Sequence, residues 1–78
     1  MTKIIGIDPG LAATGIGVVW GTGRRLQGCS YGCITTTKAL ALPARLEKIF
    51  DNTVTVLSSE KPVLVVVEDV FTLPKFPK

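Results

Sequence analysis

The chain has 78 residues and a mass of 8.3 kDa, which leaves room for one domain and excludes a two-domain enzyme with its own cofactor module. Hydrophobic residues make up 46% and charged residues 19%, a balance that excludes intrinsic disorder and requires a core. Nine Lys plus Arg against six Asp plus Glu leave +3 and a pI near 9.1, compatible with a polyanionic partner but common among soluble proteins. The apolar run from Leu11 to Trp20 is broken by Thr14, Gly15 and Gly17 and is shorter than the roughly 20 residues of a membrane span. Met1 to Ile7 lacks the form of a signal peptide, so no membrane association is expected and the location is read as cytoplasmic.

Lys3 to Asp8 is a short apolar run ending in a carboxylate and followed by Pro9-Gly10, the pattern of a central strand closed by a turn. Thr14 to Trp20 is a second strand, and Gly21-Thr22-Gly23 supplies turn chemistry for a hairpin. Arg25 to Thr37 alternates as a third strand near an edge, with Leu26, Gly28, Ser30, Gly32 and Ile34 on one face and Gln27, Cys29, Tyr31, Cys33 and Thr35 on the other. Cys29 and Cys33 then stand about 13 Å apart, too far for a disulfide. With no His in the chain they are read as reduced structural thiols rather than zinc ligands.

The period changes at Pro43, which suits a first helical position. Leu42, Leu46, Ile49, Phe50, Thr53 and Leu57 form a helical stripe to about Ser59, with Arg45, Glu47, Lys48 and Asp51 outside it. Glu60-Lys61-Pro62 ends the helix, and Val63 to Glu68 reads as a strand buried on both faces. A crossover helix between the third and fourth strands lets the fourth lie parallel to the first and beside it. The expected fold is therefore α/β: three antiparallel strands, a helix, then a fourth strand parallel to the first. One helix leaves one sheet face uncovered, so residues 1–78 are read as the N-terminal part of a single larger domain.

In that arrangement Asp8 and Glu68 close adjacent parallel strands at the same end, the end where such sheets place their sites. Strands lie about 4.8 Å apart, and two carboxylates that close repel unless a proton or a cation neutralises them. With oxygen donors alone the cation would be hard, magnesium or manganese. Singly, each acid is as well explained by a turn or a solvated strand end, but two acids closing the two most apolar strands make a pair. Asp69 falls on the opposite face by the period of two. Glycines 6, 10, 15 and 17 surround Asp8 and would allow close approach of a phosphate backbone, or serve only turn geometry and packing. Phe71 and Phe76, beside Lys75 and Lys78, could stack on a base or belong to a core. By strand direction, most of the positive excess lies at the opposite end, with Lys3, Arg24, Arg25 and Lys61.

Gly6-Ile7-Asp8-Pro9-Gly10, Thr14-Gly15-Ile16-Gly17-Val18, Gly32-Cys33-Ile34-Thr35-Thr36, Leu42-Pro43-Ala44-Arg45-Leu46 and Val67-Glu68-Asp69-Val70-Phe71, in this order and spacing, resemble the N-terminal half of the bacterial RuvC family of Holliday junction resolvases. The resemblance implies an RNase H-like fold, a homodimer, branch-migration helicase partners and magnesium-dependent nicking of four-way DNA junctions. It also implies that Asp8 and Glu68 are catalytic metal ligands, and that Phe71, with Gly10 and Lys75, meets DNA. The family completes its site with further acids near its C-terminus, so this chain is expected to be catalytically incomplete alone. Pro74 and Pro77 depart from the family's usual pattern after Phe71. The alternative is an actin-like or sugar-kinase-like nucleotide-binding module in which the Gly6–Gly10 loop holds phosphate; the apolar Leu11-Ala12-Ala13 fits it poorly.

Overall fold

The computed structural model describes residues 1–68. Three strands come first, β1 (Thr2–Asp8), β2 (Ala13–Thr22) and β3 (Arg25–Thr35), followed by one helix, α1 (Leu42–Glu60), and a short strand, β4 (Leu64–Val67). They form one sheet in the order β3-β2-β1-β4. β1 is antiparallel to β2 from Thr2↔Gly21 to Asp8↔Gly15, and parallel to β4 from Ile4↔Leu64 to Ile7↔Val67. The crossover through α1 thus returns the chain beside β1 and parallel to it.

Thr22 pairs with Arg25 across a two-residue turn whose first residue, Gly23, has φ 62°, a backbone value open to glycine without strain. The register then slips between Trp20 and Gly21: Trp20 faces Gly28 while Gly21 faces Leu26, leaving Gln27 with no opposite residue. This bulge turns Leu26 away from the face that holds Gly28 and Ile34, where plain alternation would put it. Gly28 lies under the Trp20 indole, where an added Cβ would meet the ring at 2.4 Å.

One face of the sheet carries the core. Ile5, Ile16 and Val18 are buried there, with Ile7, Trp20, Ile34 and, from the helix, Val56 and Leu57 packed around them. The sheet-facing stripe of α1 runs through Arg45, Ile49, Thr53, Val56, Leu57 and Glu60, all half-buried. It is rotated from the stripe expected from hydrophobicity, since Leu42, Leu46 and Phe50 are exposed. Polar residues occupy the ends of the inward stripe because they clamp the helix. Arg45 Nε donates to Thr36 Oγ1 at 2.8 Å, and Glu60 accepts from Lys3 Nζ at 3.0 Å. The helix starts at Leu42 after the N-cap Ala41, with Pro43 in its first turn, and Lys61, with φ 49°, ends it by donating its amide to Leu57 O. Among the described residues no helix is long and apolar enough to cross a membrane.

The opposite face has no cover from the described residues, and β4 is an edge strand whose Leu64, Val65, Val66 and Val67 are exposed. The expectation of a strand buried on both faces is not met. Among the described residues its hydrogen-bonded neighbour is β1 alone, and the helix approaches it at Val67, which shares a concavity with Leu46 and Ile49.

Candidate active site at the strand ends

β1 and β4 end together. The amide of Glu68 donates to Ile7 O at 2.8 Å, which extends the parallel ladder one residue past β4 and sets Glu68 next to Asp8. Gly6 pairs with Val66, and two residues on along each strand the pleat returns Asp8 and Glu68 to that same open face. Both acids line a shallow concavity of about 420 Å³ with Gly6, Gly15, Gly17, Tyr31 and Val66. Both are exposed, and the one ion pair among the described residues, Lys3 with Glu60, lies at the other end of the sheet. Among the described residues no cationic side chain forms an ion pair with either carboxylate.

The loop that follows Asp8 is fixed by two threonines. Buried Thr14 donates its hydroxyl to Gly10 O at 2.7 Å and accepts from Gly10 N at 3.3 Å. Buried Thr36 donates its hydroxyl to Leu11 O at 2.6 Å and its amide to Ala12 O at 3.0 Å, while accepting from Arg45. The end of β3 and the first turn of α1 thus hold the Asp8 loop jointly. Gly10 has a packing reason of its own, since a Cβ there would stand 2.4 Å from Ala13 O. That neighbour is backbone and cannot swing aside. Gly10→Ala should therefore open the Thr14 bracket and destabilise the chain by about 1–3 kcal/mol, a loss read as a lower urea midpoint.

Tyr31 joins the acids although neither its residue type nor its place in an alternating strand marked it out. It pairs with Gly17 on β2, and its ring extends over Gly17 to Gly15. A Cβ at Gly15 would lie 2.4 Å from the phenol oxygen and 3.2 Å from Cζ. Gly15 is the residue opposite Asp8 on β1, so the bare glycine track delivers the Tyr31 hydroxyl to the acid pair. The available signal was the face shared by Gly15, Gly17 and Tyr31, which only the register reveals. Cys33 Sγ donates to Tyr31 Oη at 3.7 Å. The hydrogen bond with the Cys33 sulfur, in which the phenol is the donor once that sulfur carries charge in alkaline solution, then that charge itself, then desolvation, then the Asp8 carboxylate, hold the phenol above the usual tyrosine value of 10.0.

A raised folded-state value means that the neutral phenol is the favoured form. Its contribution to stability is complete below the unfolded tyrosine value and disappears as pH rises through the folded one. Tyr31 is the single tyrosine, so absorbance at 295 nm reports it alone; its midpoint should lie above 10.0 and fall back in Cys33→Ala.

Among the described residues no three metal-ligating side chains cluster. Asp8 and Glu68 still fit a hard divalent cation as two of its ligands, because magnesium is held by one or two carboxylates with water and substrate phosphate completing its shell. Gly10 stands two residues after Asp8 and lines a neighbouring concavity with Glu68 rather than the one that holds both acids, while Phe71 and Lys75, like Asp69 and Phe76, lie outside the described residues.

A model of the family described as "Crossover junction endodeoxyribonuclease RuvC" matches residues 4–75. The chain belongs to the RuvC family. RuvC of Pelobacter propionicus is 45% identical over 69 residues, covering 88% of this chain and 39% of that protein. RuvC of Geotalea uraniireducens is 44% identical over 69 residues, covering 88% and 40%. The solved structure of Thermus thermophilus RuvC in complex with Holliday junction substrate superposes with a TM-score of 0.80 at 28% identity, covering 96% of this chain and 46% of that one. A second structure of Thermus thermophilus RuvC superposes with a TM-score of 0.76 at 29% identity, covering 96% of this chain and 47% of that one. The fold is thus the RNase H-like fold of RuvC, with β4 parallel to β1 as the crossover argument required. The chain spans about two fifths of the length of the curated relatives it matches.

Proposed function

We propose that this chain supplies the N-terminal part of a RuvC nuclease domain that hydrolyses phosphodiester bonds in four-way DNA junctions. Asp8 and Glu68 serve as carboxylate ligands for magnesium, or for manganese in its place. The observation that carries this reading is the placement of the two acids on one face at the ends of adjacent parallel strands, in a chain matched by the RuvC family over residues 4–75. When bound there, the cation would polarise the phosphate and neutralise charge that develops on the leaving oxygen.

The chain's own residues supply the frame. The β1–β4 ladder keeps the two carboxylates from separating, and the Thr14 and Thr36 brackets hold the loop after Asp8 in place. The alternative of a nucleotide phosphate loop is disfavoured by the same brackets, because the Gly10 amide is committed to Thr14 and is not free to cradle phosphate.

Two carboxylates are fewer than a two-cation nuclease site requires, so we infer that the remaining acids come from the part of the family's length that this chain does not span. The homodimer, cooperation with a branch-migration helicase and action in the cytoplasm belong to the same reading. Its test is a nicking assay on a synthetic four-way junction with magnesium, using the full chain alone and mixed with the C-terminal segment of a RuvC relative. Cleavage should require the mixture and be lost when Asp8→Asn replaces the native chain. Turnover by the chain alone, abolished by Asp8→Asn, would refute the inference that its carboxylate set is incomplete.

A further inference from the structure

We propose that Tyr31 is a substrate-contacting residue whose hydroxyl donates a hydrogen bond to a phosphate oxygen of DNA bound over Asp8 and Glu68. The inference rests on the nuclease reading and adds a neutral donor to a site otherwise made of acids. Three observations place it there. Tyr31 lines the same concavity as both carboxylates. Its ring lies on a track made of Gly17 and Gly15, the second of which pairs directly with Asp8. Among the described residues the hydroxyl's one hydrogen-bond neighbour is Cys33, which donates to it, so the phenolic proton remains available to an acceptor.

The chemistry suits a phosphodiester. A strand approaching two carboxylates meets repulsion wherever a non-bridging oxygen is not covered by a cation. A phenol presents a donor without adding a charge that would compete for the carboxylates. Lys or Arg at this position would form an ion pair with Asp8 and occupy the ligand oxygens. Ring and track also explain the glycines: any side chain at Gly15 would fill the space through which the hydroxyl reaches the acids.

The test uses the full chain with calcium, so that DNA is bound without turnover, and reads binding of a fluorescent four-way junction by anisotropy. Tyr31→Phe keeps the ring and removes only the hydroxyl; affinity should fall about tenfold, the size expected for losing one hydrogen bond to a charged group. Gly15→Ala is the second variant. Its Cβ would collide with the phenol oxygen, the free end of a side chain, so the ring should swing off the track while the strand stays paired. It should lose affinity to a similar extent, and adding Tyr31→Phe to it should change little more. A junction carrying neutral methylphosphonates at its crossover should bind native chain and Tyr31→Phe alike.

Unchanged affinity in Tyr31→Phe, or an equal deficit on the methylphosphonate junction, overturns the assignment. So does failure of the calcium-loaded chain to bind the junction at all. The nuclease reading is scored separately by manganese broadening of the Tyr31 ring resonances in the absence of DNA. Broadening that is lost in Asp8→Asn keeps the metal assignment standing even if Tyr31 proves idle.

Discussion

Asp8→Asn is expected to remove divalent-cation binding at the strand ends and to reduce junction cleavage, in the reconstituted nuclease, by roughly a thousandfold or more. The magnitude follows from the several kcal/mol that a Lewis-acid cation contributes to charge stabilisation, each ~1.4 kcal/mol of which is tenfold in rate. Asn has the shape of Asp and retains one acceptor oxygen, but it lacks the negative charge proposed to hold the cation. Glu68→Gln should act in the same direction. The substitution separates function from folding, because Asp8 is exposed and lies at the end of a strand whose ladder does not use its side chain. The thermal midpoint should therefore be unchanged or slightly higher, the increase coming from relief of repulsion between two neighbouring carboxylates. Manganese affinity by titration calorimetry and the midpoint by circular dichroism check the two halves. A variant that binds manganese like the native chain would show that the pair is only a strand-end feature.

The position of the acid pair was legible because it depends on coarse quantities. Two apolar runs each ending in an acid, an intervening helix, and the handedness of a crossover suffice to put Asp8 beside Glu68, whatever the register of β3. The features that were not legible depend on shifts of a single residue. The bulge at Gln27 turns Leu26 to the other face, and no turn chemistry in Arg24-Arg25-Leu26-Gln27 announces it. The phase of α1 was misjudged because hydrophobicity weights Leu42, Leu46 and Phe50, whereas the helix is seated by Arg45 and Glu60, whose polar ends find Thr36 and Lys3. Tyr31 was placed on the correct face of β3, yet its meeting with Asp8 requires the pairings Tyr31↔Gly17 and Asp8↔Gly15 together. Alternation says which face a residue shares, and only the register says what it shares it with.

The seating of β1 sets the second large effect. Ile5 is fully buried, and among the described residues the buried apolar core is otherwise Ile16 and Val18, each slightly exposed. Ile5 pairs with Val18 on β2 and with Val65 on β4, so its side chain stands where both halves of the sheet meet the helix face. Ile5→Ala should lose about 2–5 kcal/mol, the transfer energy of the removed carbons plus the cavity left among neighbours that cannot close on it. A domain of this size is stable by only about 0.05–0.15 kcal/mol per residue, so the loss is a large share of the total. Urea unfolding followed by the fluorescence of Trp20, the single tryptophan and a neighbour of the cluster, should show the midpoint falling sharply or the transition vanishing. Leu46→Ala is the matched control. Leu46 is 53% exposed on the flank of α1, beside a concavity it shares with Ile49 and Val67, and its truncation should change stability less. If Leu46→Ala proved as damaging as Ile5→Ala, the helix would have to be rotated to the phase that hydrophobicity alone suggests. Arg45 would then lose Thr36, and with it one of the two brackets that hold the loop after Asp8.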